Sequence, residues 1–274
     1  MDLHAVETVS RPGHRAELGP PLPGEALLAG GTWLFSEPQP AVRRLVDLTA
    51  LGWEPIRLSP DGVSIAATCT IAELAAFALP ADWPVAGLVG LCCQSFLASF
   101  KIWNTATVGG NICMGLPAGP MISLAAALDG EVVIWARDGG ERRMPVVDFV
   151  HGPLDVELAD GEIVRSIELP AHAFHRRFAF RRASLSALGR SGVLVIGTWG
   201  HHHRLTLTVT AATRRPVQIR CVGFPTPEEL ALRLIEDIPT PLYYDDVHGR
   251  PEWRRHMTRE FALEILDELK RGGA

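Results

Sequence analysis

Hydrophobic and polar positions alternate in short blocks along the chain, and the texture of those blocks changes near residue 170. Residues 25–31 (EALLAGG) read as a short buried strand running into a glycine turn. In 40–51 (PAVRRLVDLTAL), Val42, Leu45, Val46 and Leu48 fall on roughly one helical face, so the opening reads as strand, glycine loop, helix. Val63, Ile65 and Ala67 alternate with their neighbours as a strand. Thr70 then has the chemistry of an N-cap for a helix through Phe77, with Glu73 at the reciprocal capping-box position. Residues 85–100 predict a largely buried helix, 107–111 (TVGGN) a glycine-rich turn, 121–129 another apolar helix, and 130–135 and 161–170 strands. Beyond Pro170 the blocks 178–182, 192–198, 205–211 and 217–222 read as strands with tight connections, followed by helices over 227–236 and 255–270. The change of texture places a domain boundary near 170–176.

Length and charge narrow the class. The chain has 274 residues, of which 47% are hydrophobic and 21% charged. That is enough for one large domain or two small ones, at about 100–200 residues each, and it excludes wholesale disorder. The net charge of −5 leaves no basic surplus for a nucleic-acid backbone. Lys101 and Lys270 are the only lysines among 26 basic residues, which carries no functional signal. The apolar stretch 74–100 is broken by Pro80, Asp82 and Pro84 into pieces too short to span a bilayer. The first residues lack the apolar run of a secretory signal, so a soluble, cytoplasmic protein without membrane insertion is expected. Five cysteines with no CxxC spacing argue against a disulfide framework, a four-cysteine zinc site or an iron–sulfur cluster within the chain.

Weak signals weigh little. His172 and His175 have metal-ligand spacing but no companions, and His201–His203 lie between two predicted strands as a hairpin turn. Ser184, Ser186 and Ser191 lie near Gly189 without a G-x-S-x-G elbow. Asp245 and Asp246 are adjacent, which suits a solvated or interface role better than paired catalysis. Cys92 and Cys93 sit in an apolar helix as inert core. Arg254, Arg255 and Arg259 near the start of the last helix, with Glu264, Asp267 and Glu268 later, oppose its dipole, so contacts with a partner protein are expected to hold it.

Two glycine pairs carry the chemistry. Leu28–Phe35 (LAGGTWLF) and 107–120 (TVGGNICMGLPAGP) each set Gly-Gly after apolar residues. Paired glycines let backbone N–H groups face a common hollow, and a diphosphate is a natural guest of such a nest. Neither is a Walker A loop or a GxGxxG fingerprint, so spacing alone supports phosphate-binding loops and no more.

These residues resemble a known family. LLAGGTWL (27–34) is similar to the AGG-x-x-L loop, and IWNTATVGGNIC (102–113) to the second glycine loop, of the FAD-binding medium subunits of molybdenum hydroxylases, the xanthine dehydrogenase and carbon monoxide dehydrogenase family. Residues 63–74, DGEIVRSIELP (160–170), FAFRRAS (178–184) and DDVHGRPEWRRHM (245–257) extend the likeness over nearly the whole chain. The resemblance implies an α+β protein. A two-lobed FAD-binding fold of the vanillyl-alcohol-oxidase type would span 1–170, with a small lobe over 1–55 and a larger one over 56–170. A C-terminal α/β domain of the carbon monoxide dehydrogenase flavoprotein type would span 171–274.

It also implies site residues. Ala29, Gly30, Gly31, Thr32, Trp33 and Leu34 would wrap the FAD diphosphate. Thr107, Gly109, Gly110 and Asn111 would form the second loop. Pro117, Ala118 and Gly119 would sit beside the flavin, Val164 against it and Arg181 near its polar edge. No residue of this chain would be catalytic in its own right or bind a metal. FAD would accept electrons from an iron–sulfur small subunit, fed by a molybdopterin large subunit, in a dimer of heterotrimers, and pass them to NAD, a quinone or another external acceptor. A flavin-less structural subunit and a stand-alone flavin reductase or oxidase are the alternatives. Three positions depart from the family pattern. Pro120 replaces a carboxylate and Leu116 a polar residue, and Trp103 stands for an arginine. Trp33 is unusually large, suited equally to stacking on the cofactor or filling the lobe interface.

Overall fold

The computed structural model describes residues 3–272. Three short strands open the chain: β1 (Thr8–Ser10), β2 (Glu25–Leu28) and β3 (Arg44–Asp47), parallel and ordered β1-β3-β2. β3 lies where a helix is expected. Leu45 and Val46 are both buried because the central strand is covered on both faces, and a short apolar run of that kind carries no period to distinguish it from a helix. Asp47 then caps a single 3-10 turn, Leu48–Leu51, by accepting the Thr49 N–H at 3.0 Å.

A five-stranded antiparallel sheet follows, from β4 (Ile56–Ser59), β5 (Gly62–Ala66), β6 (Glu131–Trp135), β7 (Glu141–Pro145) and β10 (Ile163–Pro170) in the order β4-β5-β10-β6-β7. A ribbon of β8 (Val150–Gly152) and β9 (Asp155–Val156) lies between β7 and β10 in sequence. Between β5 and β6 run α1 (Ile71–Ala76), α2 (Ala86–Ser95), the single turn α3 (Phe100–Trp103), α4 (Val108–Cys113) and α5 (Pro120–Ala127). The capping box forms as the sequence predicts: Glu73 N–H donates to Thr70 Oγ1 at 3.1 Å, and Thr70 N–H to Glu73 Oε2 at 2.8 Å. The expected helix over 85–100 stops at Ser95, and the chain turns before α3. α6 (Val146–Phe149) and α7 (Ala171–Phe174) are single turns.

The last sheet is an antiparallel meander of β11 (Arg177–Ala183), β12 (Val193–Gly200), β13 (Arg204–Thr210) and β14 (Val217–Val222). α8 (Pro227–Asp237) and α9 (Pro251–Arg271) complete the chain. The meander forms a middle layer. On one face Leu194, Ile196 and Ala211 join the core of the preceding helices and sheet, and Phe178 and Phe180 pack on it. On the other, Val193, Val195, Leu205 and Leu207 meet Ile265, Leu266 and Leu269 of α9. α5 is buried along all eight residues, and its Ser123 hydroxyl lies 2.7 Å from Thr210 Oγ1.

Two arginines tie distant segments together. Arg137 donates to the carbonyls of Leu18 (2.7 Å) and Gly161 (3.0 Å) and pairs with Glu25, joining the three-stranded sheet to the larger one. Arg254 on α9, 1% exposed, donates to the carbonyls of Gly249 (2.9 Å), Gly192 (2.6 Å) and Ala211 and pairs with Asp246. Asp246 is thereby a structural anchor. The charges on α9 are compensated within the chain, because Arg181 reaches Glu264 and Glu268.

Candidate functional site

The first glycine loop leaves β2 after Leu28. Gly31 takes φ +69°, a conformation that glycine adopts without strain. Phe35 N–H donates to Gly31 O at 2.8 Å and Ser36 N–H to Trp33 O at 2.9 Å, which closes the far side of the loop on itself. Among the described residues, no protein acceptor takes the backbone N–H groups of Gly30, Gly31, Thr32, Trp33 or Leu34. Five successive backbone donors are thus left without a protein acceptor, the condition under which a loop can take up an anion.

The second loop is built differently. Thr107 is the N-cap of α4, and its hydroxyl accepts the Gly110 N–H at 3.1 Å. Val108 N–H donates to Cys69 O at 2.8 Å and Gly109 N–H to Ala67 O at 2.9 Å. The expected turn is thus a helix start whose donors are spent inside the protein. Gly109 is there for contact: a methyl group would run into Ala67 in the turn after β5. Gly30 has the matching role in the first loop, since a methyl there would overlap the Thr105 carbonyl. Gly30 brings the first loop against the second, and Gly109 seats the second loop on the chain leaving β5.

They meet over a cavity of ≈340 Å³, lined by Gly30, Thr32 and Trp33 from one side and Thr107, Gly110 and Asn111 from the other. Ala29, Gly31 and Leu34 also line it. A second cavity of ≈270 Å³ shares Phe96, Asn111 and Leu116 with the first and runs past Ala118 and Gly119 to Leu188 and Arg190. The two form one elongated trough. A larger cavity, ≈540 Å³, lies elsewhere and touches neither loop.

Supports under the trough are specific. Asn111 Oδ1 accepts the Met121 N–H at 3.0 Å, which fixes the amide at the start of α5. Trp103 Nε1 donates to Phe96 O at 2.9 Å, so the residue standing for the family's arginine holds the trough wall. Trp33 is 38% exposed at the cavity, with no aromatic partner. Burial pushes the Cys113 thiol up to about 12, so it is a neutral lining group at pH 7.

Four expected residues fall outside both cavities. Gly109 is buried in the first turn of α4, against Ala67. Pro117 accepts the Ala211 N–H at 2.7 Å through its carbonyl, between the trough and the meander. Val164 is buried in β10 opposite Ile134. Arg181 points the wrong way, and strand alternation is the reason: Phe178 and Phe180 face the trough side of β11, whereas Arg181 faces α9. Its hydrogen bonds to the Glu264 and Glu268 carboxylates raise its pKa further above the usual guanidinium value. Its neighbour Arg182 takes the other face. It donates to Ser191 Oγ at 2.6 Å and to the Gly189 carbonyl, bracing the loop that carries Leu188 and Arg190. Among the described residues, Arg190 is the only charged group lining either cavity. The period-two rule applied to β11 would have moved the choice off Arg181, but the Gly-Arg-Ser-Gly turn gave no sign of Arg190.

No group of three or more His, Cys, Asp or Glu among the described residues converges as a metal site. No described helix is long and apolar enough to cross a membrane.

An elongated trough, a run of free backbone donors and a sheet-and-helix frame of this topology define a flavoprotein class. Residues 16–172 match the family described as the FAD binding domain in molybdopterin dehydrogenase, and the chain belongs to that family. It is 27% identical over 263 residues to the xanthine dehydrogenase FAD-binding subunit of Escherichia coli O157:H7, covering 90% of this chain and 86% of that one. Solved structures share the fold over almost the full length. Quinoline 2-oxidoreductase from Pseudomonas putida 86 gives a TM-score of 0.79 at 18% identity, covering 99% of each chain. Carbon monoxide dehydrogenase from Hydrogenophaga pseudoflava gives 0.80 at 19%, covering 97% of this chain and 98% of that one. The chain is an oxidoreductase subunit of the FAD-binding type.

Proposed function

We propose that this chain holds FAD in the trough, receives electrons from an iron–sulfur subunit fed by a molybdopterin subunit, and delivers them to an external acceptor. The single observation carrying the reading is the row of unpartnered N–H groups from Gly30 to Leu34, facing the second loop across a common cavity. The residues fit the group. A diphosphate supplies the acceptors those donors lack, and the adjoining cavity of ≈270 Å³, which shares Phe96, Asn111 and Leu116 with the first, gives room for the rest of a dinucleotide. Bound FAD supplies the exchange between single electrons and electron pairs.

The chain's own residues do the rest. Gly30–Leu34 donate to the diphosphate, with Ala29 at the loop entrance. Thr107, Gly110 and Asn111 form the opposite wall, and Gly109 keeps that wall close to β5. Ala118 and Gly119, with Phe96 and Leu116, give the second cavity its apolar walls, while Ser95, Asn111 and Arg190 supply polar groups. Arg190 favours negative charge gathering at that end, the role expected of Arg181. We assign residues 1–170 to cofactor binding and 171–274 to a packing unit that brings Arg182 and Arg190 to the trough.

The test is the visible spectrum of the purified chain, then of the supernatant after denaturation. The expected result is flavin bands that leave with the supernatant at one FAD per chain, and co-purification with an iron–sulfur and a molybdopterin chain. Flavin without partners points to a stand-alone reductase. A colourless chain that takes up no added FAD overturns the proposal in favour of a structural subunit.

A further inference from the structure

A second cluster of ligand-seeking groups lies at the other end of α5, away from Gly119. There Asp129 follows the helix with φ 51°. Arg176 pairs with its Oδ2, Arg220 with Oδ1 at 3.1 Å, and His172 Nε2 lies 3.9 Å from Oδ2. Gln218 Nε2 donates to Ala126 O at 2.6 Å, and its Oε1 accepts from Arg220 at 2.8 Å. Around these groups is a cavity of ≈230 Å³, lined also by Thr198, His202, Arg204 and Thr206.

Its charge does not balance. Three guanidinium groups line the cavity against one carboxylate, Asp129, which Arg176 and Arg220 already share, and the His172 and His202 rings stand beside them. Among the described residues, no carboxylate lies within ion-pair distance of Arg204. Thr198 is 1% exposed and its hydroxyl has no hydrogen-bond partner. Neutralising Asp129 and satisfying the last carbonyls of α5 accounts for Arg176, Arg220 and Gln218. It does not account for Arg204, His202 or the orphaned Thr198 hydroxyl. A buried hydroxyl carries a desolvation cost that a bound acceptor would relieve. Gly200 shapes the same wall, since a methyl group there would run into the Arg176 side chain.

We propose that this cavity binds the phosphate group of a small anion. Planar guanidinium forks match phosphate oxygens, and Arg176, Arg204 and Arg220 retain donors that no residue takes. The ≈540 Å³ cavity shares Asp129, His172 and Arg220 with this one and offers Val63, Pro145 and Leu169 as apolar wall, with room for an organic body attached to the phosphate.

The test is isothermal titration of the purified full-length chain, saturated with FAD where it retains any, with inorganic phosphate and with ribose 5-phosphate at constant ionic strength. Saturable binding of either, with dissociation constants below about 1 mM and an approximately tenfold loss in Arg204→Gln, is expected. Tighter binding of the sugar phosphate identifies a phosphomonoester as the occupant, and equal binding identifies free phosphate. Thr198→Val should weaken binding yet raise the melting temperature of the ligand-free protein, a pairing that a purely structural threonine would not show. FAD content should be unchanged in both variants. Absence of saturable binding by either anion, or equal binding in Arg204→Gln, overturns the assignment.

Discussion

Gly30 and Gly109 are single residues at which a missing methyl group decides the site. At Gly30 the first loop touches the Thr105 carbonyl, and any side chain would push the loops apart. Gly30→Ala is therefore expected to cut FAD retention while leaving far-UV circular dichroism unchanged. Full retention at one FAD per chain would show that the loops need not touch. Thr107→Val removes the α4 cap and should cost about 1 kcal/mol in urea denaturation. At this scale the sequence was partly legible. The glycine pairs and the Thr70–Glu73 box could be read because each has a local mechanism. Gly109 could not be told from Gly30, because its partner Ala67 lies in a turn about forty residues away in sequence. Arg181 and Arg182 differ only in the face of β11 they take, and that face is set by α9.

Elements failed to announce themselves where burial removed their pattern or exposure never made one. β3 is covered on both faces and reads as a helix. β4 and β7 are the edges of the five-stranded sheet, and sequences such as Glu141–Pro145 carry too little apolar character to signal a strand. The meander was easier, since β12 and β13 run long and apolar. Two ties between elements can be measured. Arg137→Met leaves Glu25 and three carbonyls, of Leu18, Gly19 and Gly161, without their donor at the junction of the first two sheets. It should lower stability by about 3 kcal/mol, read by urea denaturation. The Arg142 guanidinium beside Glu162 holds that carboxyl below its ordinary range. A depressed folded value means the stabilisation is present above the unfolded value of about 4.3 and is lost as the pH falls through the folded one. Arg142 is partly exposed, so the effect should be at most about 1 kcal/mol. Glu162→Gln should flatten that acid limb of the stability profile, and an unchanged limb would assign it to other carboxylates.

Across the whole molecule, the meander binds the layers into one body. Gly197 lies under α9, where a side chain would strike Ile265 and Leu269. Arg254 secures the start of the same helix to the carbonyls of Gly192 and Ala211, at the start of β12 and the end of β13. Arg254→Leu leaves Asp246 and three carbonyls without their donor, and should lower stability by about 3–5 kcal/mol, measured by urea unfolding. The sequence announced two textures and a boundary near 170. It did not announce how closely the textures join, because contacts across a sheet leave no period in either partner.

That closeness bears on where the protein could be cut. The family's signature ends at residue 172, yet α5, inside it, has its outer side roofed by β12 and β13. A fragment halted there would uncover the side of α5 where Ser123 meets Thr210 and the Ala126 carbonyl accepts from Gln218, and it should take up hydrophobic dyes and precipitate instead of carrying its cofactor. Here the recognisable sequence signature and the independently folding unit are different lengths of chain, and anyone transplanting the cofactor loops into another scaffold would have to bring their roof as well.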